Sequence, residues 1–155
     1  MSAVKSVCLA IEVATRRRDK ANQALMLVQR AHLFTLDQMA QLETYAQETE
    51  ARWTAAAQAS TTPELMRHHY QFMGRLHHAI GLQSGVVQDA AREVEGKKSL
   101  VLEAEFRLTS LKQVLKKKEA EIDIIQSRRE QKQMDEFASM RRGQFTGGYF
   151  SGERS

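Results

Sequence analysis

Residues 66–125 read MRHHYQFMGRLHHAIGLQSGVVQDAAREVEGKKSLVLEAEFRLTSLKQVLKKKEAEIDII. The stretch repeats one pattern every seven residues, and the first position of every repeat is apolar. These positions are Met66, Met73, Ile80, Val87, Val94, Val101, Leu108, Leu115 and Ile122. The apolar stripe of an ordinary globular helix follows a 3.6-residue period and drifts away from a strict heptad. The stretch therefore predicts one helix of a coiled coil, which needs a partner helix.

The residues three positions further on form the second half of this seam. Most of them are apolar, namely Leu76, Ala90, Ala104, Leu111 and Ile125, and they are interrupted by His69, Gln83, Lys97 and Lys118. A weaker heptad with smaller side chains precedes residue 60. It reads Val4, Ile11, Arg18, Leu25, His32, Met39, Ala46 and Trp53. The earlier heptad supplies the partner helix within the same chain.

The two heptads are separated by Ser60-Thr61-Thr62-Pro63-Glu64. Proline disfavours helical geometry at Thr62, and either Thr62 before Pro63 or Thr61 with Glu64 fits a helix start. We predict a first helix over about residues 3–59, a turn at 60–62 and a second helix over about 63–141. A connection this short implies an antiparallel helical hairpin. The predicted fold class is all-α.

The second helix is the longer one in this prediction. It outlasts the first by roughly 20 residues at equal rise, so we expect Glu119–Arg141 to project beyond the start of helix one. The glycine-rich residues 143–155 are predicted to be a disordered tail. Residues 1–142 are predicted to form a single coiled-coil domain.

Composition favours long helices over a thick core. The 155 residues include one proline, one cysteine and 6% aromatic residues. That profile is typical of long helices. Cys8 has no partner for an intramolecular disulfide, which fits a reducing compartment. No run reaches the roughly 20 apolar residues of a membrane span, and the short run before Glu12 is not a signal peptide. We expect a cytoplasmic protein.

The sequence offers little catalytic chemistry. The pairs His68-His69 and His77-His78 lie about 12 Å apart on one helix, and adjacent helical residues do not face each other. We therefore interpret these histidines as polar surface and predict no metal site. A two-helix hairpin has no concave pocket in which catalytic side chains could assemble. We predict no enzyme activity, no cofactor and no small-molecule substrate.

Surplus apolar surface near the turn is the first candidate site. Phe72, Leu76, Ala79 and Gln83 follow one another at spacings of four, three and four residues. They would form a ridge that the partner helix only half covers, which suits a docking site. The alternative is that Phe72 folds over the turn and caps the end of the hairpin.

A charged stretch near the end of helix two is the second candidate. It contains Arg128, Arg129, Glu130, Gln131, Lys132, Asp135 and Glu136. Seam positions 129 and 132 become basic here, so the apolar stripe stops while helical composition continues. The stretch is either a solvated helix end or a segment built to bind another protein.

Three blocks resemble the flagellar FliJ family in content, order and spacing. They are Gln38-Met39-Ala40-Gln41-Leu42-Glu43-Thr44-Tyr45, then Tyr70-Gln71-Phe72-Met73-Gly74-Arg75-Leu76-His77-His78-Ala79-Ile80 with Gln83, then Arg129-Glu130-Gln131-Lys132 with Asp135-Glu136. The resemblance extends to about Arg142, and the last block is the most distinctive.

This resemblance implies a soluble component of the flagellar type III export apparatus, peripherally associated with the inner membrane. Family members form an antiparallel coiled coil similar to the stalk of rotary ATPases. The end with both termini enters the hexameric export ATPase, FliI, and the turn end reaches the cytoplasmic ring of the export gate, FlhA. The family is also linked to export chaperones. By position, the ridge from Phe72 to Gln83 matches the gate-binding residues, and the charged stretch matches the ATPase-binding end.

Three alternatives stay open at this point. The stalk of a virulence injectisome shares the fold and role. A generic coiled-coil scaffold or adaptor with no ATPase partner would self-associate in parallel, whereas the break at Pro63 predicts a monomeric hairpin. A nucleic-acid-binding coiled coil needs a basic stripe, but the excess behind the net charge of +4 lies at the two ends of the chain, and the signs are interleaved elsewhere. We expect no nucleic-acid partner.

Overall fold

The computed structural model describes residues 2–149, with side chains over residues 3–144. These residues form two helices, α1 (Ser2–Ala59) and α2 (Pro63–Tyr149). No strand occurs within residues 2–149. The predicted all-α class with two long helices is confirmed.

Thr62 caps the start of α2 after the break between the two helices. Its hydroxyl oxygen accepts a hydrogen bond from the backbone N–H of Leu65 at 3.2 Å, and its carbonyl accepts one from Met66 at 3.0 Å. Thr62 is thus the N-cap residue and Pro63 occupies the first helical position, where proline's missing N–H costs nothing. Of the two predicted starts, the structure has the one at Thr62.

Residues 14–107 form one compact unit that contains the turn. Contacts across it run in opposite directions along the two helices: Trp53 lies against His69, Tyr45 against Phe72, and Thr35 against Gln83. Residue numbers fall along α1 as they rise along α2. This part of the chain is therefore the predicted antiparallel hairpin.

The core of this unit is a narrow stripe made largely by the predicted heptad positions. Ala46, Met73 and Leu76 form a buried cluster, and Leu42 and Ile80 pack against it. The stripe continues with buried side chains at Ala14, Val94 and Val101. No described side chain falls below 2% exposure, as expected where one helix covers only one face of another.

His69 corrects part of the sequence interpretation. The other members of the two pairs, His68, His77 and His78, are exposed, but His69 is only 9% exposed. It occupies a seam position three residues after Met66, so helical periodicity turns it toward α1. Burying an imidazole requires compensating contacts. The ring of Trp53 and the carboxylate of Glu50 provide them.

Residues 2–13 and 108–149 belong to a second compact unit. Leu108 is buried here, and Val4, Val7, Ile11, Leu111 and Leu115 are half-buried. Every described side chain from Glu119 to Gln144 is exposed, and this includes the seam residues Ile122 and Ile125. The predicted extension of α2 is therefore an exposed helical segment in the described part of the chain.

The carboxyl end of α2 differs from the prediction. The helix was expected to end near Arg141, but it continues to Tyr149. Glycine lowers helix stability by about 1 kcal/mol without forbidding the conformation. No described glycine has the positive φ of a C-terminal cap, so Gly143 does not end the helix. Residues 150–155 of the predicted tail lie outside the described residues. The single domain over residues 1–142 stays a prediction.

Candidate protein-docking surfaces

The turn-proximal surface brings two of the quoted sequence blocks together. Tyr45 of α1 and Phe72 of α2 meet edge to face, with ring centroids 6.2 Å apart and planes at 82°. The side-chain amide of Gln83 donates to the carbonyl of Thr35 at 3.0 Å and to Oε1 of Gln38 at 3.4 Å. Residues 38–45 and 72–83 therefore form one continuous surface across the hairpin.

The four residues of the predicted ridge do not share one environment. Phe72 is 37% exposed, Leu76 is 8% exposed, and Ala79 and Gln83 are half-buried. Leu76 belongs to the core cluster, since it is a seam residue as well as a ridge residue. Phe72 stands beside Tyr45, fourteen residues before the end of α1, so it does not cap the turn.

Sequence reasoning did not include Gln38 and Tyr45 among the candidate site residues. Tyr45 is 47% exposed beside Phe72, and Gln38 touches Gln83. The antiparallel register of the two helices would have identified them, because it places Tyr45 opposite Phe72 and Gln38 opposite Gln83. We call Gln38, Tyr45, Phe72, Ala79 and Gln83 the turn-proximal surface.

An open groove lies on residues 46–58 and 73–77, within the unit that contains the turn. Its volume is about 720 Å³, and its lining includes Ala46, Ala51, Ala55, Met73 and His77. The sequence predicted no concave pocket here. The groove exists because the side chains that α1 contributes to its lining, from residue 46 to residue 58, are all alanine or polar. Glu50 on its rim is engaged by His69, whose Nε2 lies 3.2 Å from Oε2 of Glu50.

The extension of α2 carries the predicted charged stretch. Arg128, Arg129, Glu130, Gln131, Lys132, Asp135 and Glu136 are all exposed. None of the charged members forms an ion pair with another described residue. The stretch is therefore a mixed-charge helical surface whose side chains are available to another molecule.

Apolar side chains accompany these charges and were missed by the sequence analysis. Met134, Phe137 and Met140 are 73%, 63% and 72% exposed. The guanidinium of Arg141 lies 5.5 Å from the centre of the Phe137 ring, a cation–π contact. The signal was the spacing of three residues between them, which places all three on one side of a helix. We call Met134, Phe137 and Met140 the extension face.

The described part of the chain contains no group of three or more histidine, cysteine, aspartate or glutamate side chains arranged to hold a metal ion. Neither described helix includes an apolar segment long enough to cross a bilayer.

Comparison with known families gives one match. The family described as "Flagellar FliJ protein" matches residues 10–144, which is most of the chain. No curated protein and no solved structure matches. The matched range includes the turn-proximal surface, the extension face and all three sequence blocks. The chain therefore belongs to the flagellar FliJ family and is a flagellar, export-associated stalk protein.

Proposed function

We propose that this protein is the cytoplasmic stalk that couples the hexameric export ATPase to the export gate of the flagellar type III apparatus. The extension of α2 enters the ATPase ring and promotes its assembly and activity. The turn-proximal surface binds the cytoplasmic ring of the gate. The protein also meets export chaperones, and it is monomeric when free.

The observation that carries this proposal is the exposed helical segment from Glu119 to Arg141. A helix whose side chains are exposed on every face has little packing to hold it, because most helical stability in proteins comes from tertiary contacts. Its charged stretch and its extension face are both accessible. A single helix, with a radius of about 5–6 Å including side chains, is narrow enough for the axial opening of a ring.

Coupling through such a stalk would be mechanical. If the stalk binds one conformation of an ATPase subunit more tightly than another, it favours that conformation. The difference between the two binding free energies sets how far the conformational equilibrium of the subunit can shift. Arg128, Lys132 and Glu136 offer charges of both signs on successive turns. They suit contacts that are specific in position and individually weak in water.

The gate-binding role rests on the turn-proximal surface. Phe72 and Tyr45 present a paired aromatic edge, a common anchor in protein interfaces. Gln83 is held in place by Thr35 and Gln38, so its position is fixed before a partner binds. Leu76 supports this surface from within the core, and the residues of the turn-proximal surface around it contact the partner.

Residues 121–155 are the segment to delete in a direct test. The purified protein is added to the export ATPase of the same cell, and ATPase rate and hexamer formation are followed together. We expect both to rise, and the rise to be lost when the chain is truncated after Ala120. Truncation after Arg142, which keeps the charged stretch and the extension face, is the matched control and should retain the effect.

Two results would contradict the proposal. One is full stimulation by the chain that ends at Ala120. The other is no binding to the ATPase together with a stable dimer in light scattering, which would identify a coiled-coil scaffold.

A further inference from the structure

Helix α1 is apolar on two faces between residues 25 and 34. One face carries Leu25, Val28 and His32, which are half-buried in the seam. The other carries Met26, Leu27, Leu33 and Phe34, with exposed fractions of 52%, 65%, 64% and 61%. We call these last four side chains the outer patch. A surface helix normally has one apolar stripe, and a second exposed one marks an interaction site.

The four side chains of the outer patch lie together. Met26 and Leu33 are seven residues apart, as are Leu27 and Phe34, and seven residues are close to two helical turns. Arg30 lies between the two pairs, four residues from both Met26 and Phe34. The patch is thus about 12 Å long, with a guanidinium near its centre.

Basic side chains continue from the patch toward the start of α1. Arg16 and Lys20 are exposed and four residues apart, and Lys20 precedes Leu27 by seven residues on the same side of the helix. Arg16, Lys20 and Arg30 form no ion pair with other described residues. The neighbouring Asp19 is engaged by Arg18 at 3.0 Å. The outer patch therefore has a positive surface on its amino-terminal side, whereas Asp37, three residues beyond Phe34, accepts a hydrogen bond from the side-chain amide of Gln41 at 2.9 Å.

We propose that the outer patch docks an amphipathic helix of another protein, one that borders its apolar face with acidic residues. The partner's apolar side chains cover Met26, Leu27, Leu33 and Phe34. A partner carboxylate pairs with Arg30, and further carboxylates lie over Lys20 and Arg16. Hydrogen bonds between a carboxylate and a guanidinium are stronger than those between neutral groups. The complementary charges also determine the orientation of the partner helix on the patch.

A second copy of this chain does not fit this surface. Pairing two outer patches, in either relative direction, places Arg30 of one copy against Arg30 of the other. Like charges at the centre of an apolar contact are both repelled and desolvated. The partner that suits the patch therefore carries an acidic residue at the position that faces Arg30.

A membrane surface fits the patch less well than a helix does. The apolar side chains extend over only two turns, and Arg30 among them would be carried toward the hydrocarbon. The guanidinium finds no carboxylate to pair with there. A protein helix supplies both the apolar cover and the counter-charge.

The probe for this proposal is a synthetic helical peptide of about 18 residues, or five turns, with a leucine face bordered by glutamates. A second peptide has lysine at every glutamate position. Binding of each labelled peptide to the full chain is measured by fluorescence anisotropy. We expect the glutamate peptide to bind, with affinity that falls as salt is raised, and the lysine peptide to bind about tenfold or more weakly.

The variants isolate the surface. Leu27→Ser with Phe34→Ser should weaken the glutamate peptide about tenfold, and Arg30→Ala should reduce the preference for glutamate over lysine. The control is Leu102→Ser with Phe106→Ser, an equally exposed apolar pair on α2 that has Glu103 and Glu105 beside it. That control should bind as the wild type does, and circular dichroism should show unchanged helicity in all variants.

Four outcomes would overturn the proposal. They are no binding of the glutamate peptide, equal binding of the two peptides, equal losses in the test and control variants, and cross-linking of a photoreactive glutamate peptide to seam residues in place of residues 16–37. Self-association of the wild type that is lost in the Leu27→Ser, Phe34→Ser chain would assign the patch to a second copy. Binding of anionic vesicles with the same sensitivity would assign it to a membrane.

Discussion

The imidazole of His69 lies flat against the indole of Trp53, with ring centroids 4.4 Å apart and planes 8° apart. Nε2 of the same imidazole lies 3.2 Å from Oε2 of Glu50, one turn earlier in α1. His69, a polar residue in a coiled-coil seam, thus has an aromatic ring packed against it and a hydrogen-bond partner. Among the described residues, no buried side-chain nitrogen or oxygen lacks a hydrogen-bond partner. This contact joins the two helices at the end nearest the turn.

Trp53→Ala should therefore destabilise the hairpin. It removes the stacking partner of His69 and leaves space in the seam, and we expect a loss of about 2 kcal/mol in the free energy of unfolding. Urea unfolding followed by circular dichroism measures it. Trp53→Phe should lose less than half as much, because a ring is retained. Equal losses in the two variants would show that stacking on His69 contributes little.

Gly85→Ala should stabilise the protein. A Cβ at Gly85 meets no atom within 4 Å, and Gly81, Gly74 and Gly96 are equally open. Alanine is favoured over glycine in a helix interior by about 1 kcal/mol, so a gain of this size is expected in thermal or urea unfolding. Gly85→Pro is the matched test of helix continuity and should cost about 3 kcal/mol or more. A loss on Gly85→Ala would mean that residue 85 is not within a continuous helix.

Phe72→Ala and Leu76→Ala should have different effects, although both residues belong to the predicted ridge. Leu76 is a core residue, so its truncation should cost about 2–3 kcal/mol of stability. Phe72 is partly exposed, so its truncation should cost about 1 kcal/mol or less while weakening binding to the gate ring about tenfold. Unfolding curves and titration against the purified gate domain separate the two. Unchanged gate binding by the Phe72→Ala chain would remove Phe72 from the docking site.

The extension face should be important for the ATPase and unimportant for stability. Met134→Ser with Phe137→Ser removes two side chains that contact little of the folded chain, so the free energy of unfolding should change by no more than about 0.5 kcal/mol. Stimulation of the ATPase should fall several-fold. Leu102→Ser with Phe106→Ser, exposed apolar residues outside the extension, is the control and should stimulate normally. Normal stimulation by the Met134→Ser, Phe137→Ser chain, together with reduced stimulation by the control, would contradict the assignment of the extension to ATPase binding.

The main features of the fold were predictable from the sequence because each depends on local pattern. The heptad that begins at Met66 predicts the seam, and residues 69–118 follow it. Pro63 predicts the break. The difference in helix length predicts the exposed segment after Glu119. None of these inferences needs the exact alignment of one helix against the other.

The remaining features depend on that alignment or on energies too small to predict from pattern. The burial of His69 needs Trp53 and Glu50 opposite it, and the half-buried position of Gln83 needs Gln38 and Thr35. Leu76 was assigned to a half-covered ridge, and its burial in the core was not predicted because a ridge and a seam overlap on a narrow helix surface. The helix past Gly143 reflects glycine's modest cost in the absence of a capping conformation.

Site-specific cross-linking tests the central claim most directly. A photoreactive amino acid replaces Phe137 in one chain and Leu82 in another, both large and exposed apolar residues. Each chain is mixed with the assembled export ATPase and irradiated. The stalk account predicts cross-links to the ATPase from position 137 and none from position 82. Cross-links from position 82 with none from position 137 would contradict insertion of the extension.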